Sequence, residues 1–345
     1  MVSGGELFRV LKAGISPDKV VYSGVGKTED EIRFALESGI LMFNIESSEE
    51  LKAINQKAQE FNTKAPISIR VNPDIDPKTH PYISTGLKKN KFGIDFSRSL
   101  EEYRFARNLE HIKIIGVDCH IGSQITEMGP FVEALAKIKT LITELRREGI
   151  DIKYLDLGGG LGITYDKEIP PHPNEYAQAI LNEIQGQDLT LILEPGRVIV
   201  GNAGILVTKV LYTKSAPEKH FIIVDAGMND LIRPSLYDAY QEVVSIVQTT
   251  KERYVADIVG PICESGDFLA RDRMITQAQK GDLIAIMSAG AYGFAMSSNY
   301  NSRPRPPEVL VAGEESFLIR KRESFEDLIR GETIPDFLCN CSTPA

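Results

Sequence analysis

The chain has 345 residues, 42% of them hydrophobic and 25% charged, an ordinary globular composition with room for about two domains. Its 48 acidic and 39 basic residues leave a net charge of −9, which speaks against a nucleic acid or an anionic membrane as partner. No apolar run approaches the roughly 20 residues of a membrane span. The first residues lack a signal-peptide pattern, and the four cysteines (Cys119, Cys263, Cys339, Cys341) form no paired framework, so a cytoplasmic protein is expected.

"MVSGGELF" opens the chain like the end of a strand entering its helix. Strands are expected at 19–24, 40–47, 66–74, 112–123, 152–160 and 189–197, with helical patterns between them, among them 28–39 and 129–149. Near-continuously apolar strands that alternate with helices indicate a parallel sheet covered by helices, here of the (β/α)₈ type. Eight strands close such a barrel and six are complete, so a first βα unit is expected to be missing and the chain to be N-terminally truncated. After about residue 205 the pattern changes to strands without crossover helices, at 204–214, 220–227, 254–271, 282–293 and 307–320. The expected division is a barrel domain over 1–205, a mostly antiparallel β domain over 206–338, and a disordered tail over 339–345.

Polar and glycine-rich residues gather at the C-terminal ends of the first-domain strands, the rim where such barrels carry function. "LDLGGGLGITY" (155–165) runs a strand into three glycines. Bare amides there could cradle a phosphate, or the run is a tight βα turn with no ligand. It fails G-x-G-x-x-G at Ile163, and "VYSGVGKT" (21–28) fails the P-loop at Val21. His120 in "DCHIGSQ" could stack on an aromatic cofactor while Ser123 reaches a phosphate; the alternative is a satisfied core histidine. "EPGR" (194–197) either holds a heterocyclic nitrogen protonated or forms an internal Glu–Arg pair. In the second domain Cys263 beside Glu264 is an acid, a nucleophile or a buried structural thiol. Arg233 and Tyr237 share one helical turn suited to a carboxylate. Tyr292 lies in a close-approach loop. The "CNC" of the tail is not expected to bind a metal.

Taken in order, "HIGSQ", "LDLGGGLGI", "EPGR", "RPSLYDAY", "CESGD" and "GAYG" resemble the diaminopimelate decarboxylases, within the alanine-racemase-like, pyridoxal-phosphate (PLP) dependent group 2 decarboxylases. The resemblance runs from residue 1 to about Leu338. It implies that Gly159, Gly160, Ser123, the backbone of Glu194, Pro195, Gly196 and Arg197, and Tyr292 hold the PLP phosphate. It further implies that His120 stacks on the ring, that Glu194 keeps the pyridine nitrogen protonated, and that Arg70 sits near the ring. Arg197, Arg233, Tyr237 and Tyr292 would meet the substrate, with Glu264 at its distal ammonium and Cys263 reprotonating the α-carbon. The family's Cys–Glu pair comes from a neighbouring subunit, so a homodimer is implied.

Ornithine and lysine carry only an ammonium at the far end, whereas Arg197, Arg233 and Glu264 suit a distal head with both charges. The substrate implied is meso-diaminopimelate, yielding L-lysine and CO₂. The family's covalently anchoring lysine lies upstream of "VSGGEL", and Lys27 belongs to another segment, so the chain as written is expected to be inactive. The other readings are a PLP-binding homologue without catalysis and a decarboxylase for another basic amino acid or polyamine precursor.

Overall fold

The computed structural model describes residues 1–76, 91–247, 250 and 252–339. Of the tail expected at 339–345, all but Cys339 lies outside the described residues. The chain forms two compact units, Met1–Thr164 with Glu168–Val198, and Tyr165–Lys167 with Ile199–Ala345. The division thus falls after Val198, against 205 in the sequence reading.

In the first unit six strands lie side by side in chain order and parallel: β1 (Val21–Tyr22), β2 (Met42–Ile45), β3 (Ala65–Asn72), β5 (Ile112–Asp118), β6 (Tyr154–Asp156) and β7 (Thr190–Ile192). β4 (Ile94–Asp95) joins β3 off this path. The helices between them are α1 (Gly4–Lys12), α2 (Glu29–Ser38), α3 (Ser48–Glu60), α4 (Phe96–Arg107), α5 (Gly129–Arg147) and α6 (Pro173–Ile184). Met1 donates its amino group to Val21 O, and Ser23 donates its amide to Met1 O, both at 2.9 Å. That pair of bonds is the parallel-ladder pattern, so Met1 occupies a strand position beside β1, as its sequence context suggests.

Each helix follows from its own sequence. Thr28 and Glu31 close a capping box on α2, and Gly39 ends it at φ 70°. In α5 the buried side chains Phe131, Ala134, Leu135, Ile138, Leu141, Ile142 and Leu145 recur at three and four residues and enter the main core. Strand residues facing the helices, such as Phe43, Ile45, Ile67, Ile69 and Val117, complete that core at zero exposure. A smaller cluster of Val21, Met42 and Ile115, with Leu41, Tyr154 and Ile192 packed on it, fills the other face. Both faces of the sheet are therefore covered, which explains the lack of polar alternation over most of each strand. The sheet curves: Ser23 just past β1 hydrogen-bonds Glu194 just past β7 at 3.0 Å.

In the second unit six strands form a mostly antiparallel sheet in the order β10-β13-β8-β9-β11-β12. They are β8 (Leu206–Ser215), β9 (His220–Val224), β10 (Val243–Ser245), β11 (Arg253–Val259), β12 (Phe268–Thr276) and β13 (Leu283–Ile286). Only the β9–β11 pairing is parallel. A separate hairpin joins β14 (Glu308–Ala312) to β15 (Glu315–Arg320). Its core is built on Val210, Ile222, Val224, Leu231, Ile258, Leu269, Ile284 and Ile286.

Candidate active site

Side chains two apart on a strand share a face. Two residues beyond Val21, Met42, Tyr154 and Ile192, which form or pack on the apolar layer, stand Ser23, Asn44, Asp156 and Glu194. These polar groups therefore form a second layer at the C-terminal rim, and they are wired together. Asn44 Nδ2 donates to Ser23 Oγ at 3.1 Å and to Asp156 Oδ2 at 3.2 Å. Ser68 Oγ donates to Asn44 Oδ1, and Ser23 Oγ donates to Glu194 Oε1 at 3.0 Å. Beside this network Arg70 Nη1 donates to Glu46 Oε1 at 2.8 Å, and the Gly93 amide donates to Glu46 Oε2 at 2.7 Å. Lys27 is buried at the same end; it pairs with Glu50 at 2.5 Å and donates to Gly24 O and Asn44 O.

Asp118, Asp156, Glu194 and Glu46 stand close enough at this rim to act on one another's surroundings. Burial, then the charge of Asp156, pushes Asp118 well above the usual carboxylate range. Burial and the neighbouring Glu194 raise Asp156 to about 7. Burial works against the charge of Arg70, but Asp118 and Glu46 outweigh it and raise its pKa. His120 is driven the other way, down to about 3, by burial and by the positive charge of Arg70. Its imidazole is thus neutral at physiological pH, and it accepts the Gly159 amide at Nδ1, 3.1 Å away.

The glycine run is bare because protein atoms stand against it. A β-carbon on Gly158 would lie 2.5 Å from His120 Nδ1, and one on Gly159 would lie 2.2 Å from Glu194 O. One on Gly160, whose φ is +110°, would lie 2.4 Å from Gly122 O. The ends of β5, β6 and β7 therefore pack backbone to backbone, and this brings His120, Gly158–Gly160 and "EPGR" into one constellation. Pro195 and Gly196 are exposed, with nothing within 4 Å of a β-carbon on Gly196, while the Arg197 side chain is buried. Ser123 is half-buried at the same rim.

The second unit places the other candidates on turns. Arg233 and Tyr237 are the first and last residues of a short helix, α7 (Arg233–Tyr237). The Arg233 guanidinium is buried, stacks 4.1 Å over the Tyr165 ring and donates to Gln241 Oε1 at 2.6 Å. Cys263 and Glu264 are exposed on the turn between β11 and β12. Asp267 builds that turn, accepting the Ile262 amide at Oδ2 and the Met228 amide at Oδ1, both at 2.6 Å. Tyr292, at φ 57°, is 40% exposed in a loop that does require close approach: a β-carbon on Gly290 would lie 1.9 Å from Val200 O.

Sequence reading missed Ser23, Asn44, Glu46, Ser68, Asp118 and Asp156. Their signal is visible in retrospect: polar residues inserted in the C-terminal halves of otherwise apolar strands, as in "FNIES" and "SIRVN".

These features match known proteins. Residues 1–201 match the family described as "Pyridoxal-dependent decarboxylase, pyridoxal binding domain". The chain is 54% identical over 332 residues to the diaminopimelate decarboxylase of Aquifex aeolicus, covering 95% of this chain and 79% of that protein. It is 53% identical over 335 residues to the diaminopimelate decarboxylase of Vibrio cholerae, covering 97% and 80%. The crystal structure of diaminopimelate decarboxylase from Helicobacter pylori complexed with L-lysine superposes with a TM-score of 0.92 at 49% identity, covering 95% of this chain and 82% of that one. The fold and rim define a PLP-dependent decarboxylase of the alanine-racemase-like type. Within that class, the chain belongs to the diaminopimelate decarboxylase family. The rim fits the cofactor: a carboxylate held by a serine hydroxyl, a neutral imidazole, and an exposed Pro–Gly turn whose glycine has open space around it. Among the described residues no helix is long and apolar enough to cross a membrane.

Proposed function

We propose that the chain decarboxylates meso-2,6-diaminopimelate to L-lysine and CO₂ with bound PLP, as a cytoplasmic homodimer. The observation that carries this is the constellation of Glu194, neutral His120 and the bare glycine turn at one rim. Identity of 54% to a diaminopimelate decarboxylase, and likeness to one complexed with L-lysine, support the substrate.

Bound PLP supplies an electron sink for the pair released as the α-carboxylate leaves. Glu194, oriented by Ser23, would accept the pyridinium N–H and so keep that nitrogen charged. Neutral His120 would stack on the ring without adding a competing positive charge, with Arg70 near it. Ser123 and the backbone of Gly160, Gly196 and Arg197 would hold the phosphate, with Tyr292 assisting. The Gly159 amide, which donates to His120 Nδ1, would orient that imidazole. At the substrate's distal head Arg197, Arg233 and Tyr237 take the carboxylate and Glu264 takes the ammonium. Cys263 gives its proton to the α-carbon and regains one from solvent, so one proton is taken up per CO₂ released.

A second reading, a PLP-binding homologue without turnover, is favoured by Lys27. This buried rim lysine is ion-paired with Glu50 rather than available to the cofactor. One experiment separates the two: PLP binding followed by absorbance, together with CO₂ release from carboxyl-labelled diaminopimelate, ornithine and lysine. With a lysine in place to anchor PLP, release from diaminopimelate alone is expected. PLP binding with no release from any of the three would establish the second reading, and release from ornithine would shift the substrate class.

A further inference from the structure

Cys263 and Glu264 sit on an exposed turn, a poor platform for groups that must meet a substrate within a fraction of an ångström. Asp267 supports the turn from its own strand end. A second segment supports it from the side. Asn301 Oδ1 accepts the Cys263 amide at 3.2 Å.

The segment carrying Asn301 is itself fixed. Ser298 donates its amide to Asn229 O at 2.9 Å, and Arg303 Nη2 donates to Asp225 O. Asn299 Nδ2 donates to Glu323 Oε2 at 2.6 Å, and the Arg305 amide donates to the same oxygen at 2.8 Å. Between these anchors Asn301 and Ser302 both hold left-handed backbone, at φ 54° and 53°. Two successive non-glycine residues in that region persist only where their surroundings over-determine them, and such outliers collect at functional sites. The conformation turns the Asn301 side chain back onto the Cys263 amide.

We propose that Asn301 is a positioning residue for the turn that carries Cys263 and Glu264: it sets the thiol through the Cys263 backbone amide. The assignment rests on the role given above to Cys263. Asn301 then governs proton delivery and leaves affinity for the distal amino-acid head as it was. L-lysine retains that head after CO₂ has left, so its affinity separates the two effects without turnover.

The test uses Asn301→Gly and Asn301→Asp in the full-length PLP-loaded protein. Glycine keeps the left-handed backbone and removes only the acceptor, while aspartate keeps both. Asn301→Gly should speed exchange of the Cys263 amide at least fivefold and lower kcat about tenfold, with the dissociation constant of L-lysine unchanged. Asn301→Asp should restore both. Unchanged amide exchange in Asn301→Gly, or equal losses of kcat and L-lysine affinity in that variant, would overturn the proposal. Cys263→Ala and Glu264→Gln serve as references. If those two leave turnover and L-lysine affinity intact, the functional reading fails, and the exchange measurement still judges the clamp.

Discussion

At the scale of single residues, Gly159 is the most tightly enclosed of the described glycines in the first unit. Its absent β-carbon would stand 2.2 Å from a backbone oxygen that no side-chain motion can relieve. Gly159→Ala should therefore cost about 1–3 kcal/mol by overpacking, read from urea denaturation, and should weaken PLP binding by displacing Glu194. Arg233 has the opposite character, since its buried guanidinium belongs to the second unit. Arg233→Ala should raise the KM for diaminopimelate at least tenfold, in line with about 1.5–3 kcal/mol for a charge-assisted contact, while PLP affinity stays as it was. An unchanged KM would remove Arg233 from the substrate site. Asp156 supplies a pH signature. Its folded pKa is raised to about 7 by burial and Glu194, against about 3.9 in an unfolded chain. The folded state binds more protons between those values, so this stabilisation is full below about pH 4 and is lost as pH rises through 7. Asp156→Asn does not titrate. Its stability deficit relative to the parent should shrink by about 1 kcal/mol or more between pH 5 and pH 8, and a constant deficit would contradict the assigned shift.

At the scale of elements, the start of α2 ties two helices together. Glu31 caps Thr28 and also accepts the Gly4 amide of α1 at 2.7 Å, and these bonds, that of Gly4 first, lower its pKa to about 2. The lowered folded value means that the stabilisation is present above about 4.5 and is lost as pH falls through 2. Thr28→Ala should cost about 1 kcal/mol by denaturation, leaving the sheet intact. Elements of this kind were legible in advance: the helix expected at 28–39 occupies Glu29–Ser38, and the strand expected at 40–47 occupies Met42–Ile45. The antiparallel character of the second sheet was equally legible, because its strands lack crossover helices. Motif residues His120, Gly159 and Glu194 could be read because glycine and proline mark strand ends. The Asn44–Ser23–Asp156 network could not, because single polar residues within apolar strands announce neither which face they take nor whom they meet. The reason for three glycines also lay outside the sequence. Their neighbours come from residues 120–122 and 194, and only the register of β5, β6 and β7 puts those atoms within reach.

At the scale of the whole molecule, the proposed homodimer with shared sites has a direct check. Cys263→Ala subunits mixed with Glu194→Ala subunits should recover activity, because one of the two sites in each mixed dimer keeps both residues. Random pairing in a two-fold dimer gives about a quarter of the parental rate. Verified mixed dimers with no activity would contradict the shared site. The two units also differ in how much change they tolerate. In the first, His120, Gly159 and Glu194 are locked by backbone contacts, so a substitution there moves several groups together. In the second, Cys263, Glu264 and Tyr292 stand exposed on turns, where a side chain can be exchanged without disturbing a core. Anyone seeking to retune this scaffold toward a different amino acid should therefore build a mutant library on the turns of the second unit and leave the cofactor rim untouched. Accepted variants with altered distal-head preference should concentrate at 264, whereas Cys263, the proton donor, and the glycine turn should return only their parental sequence.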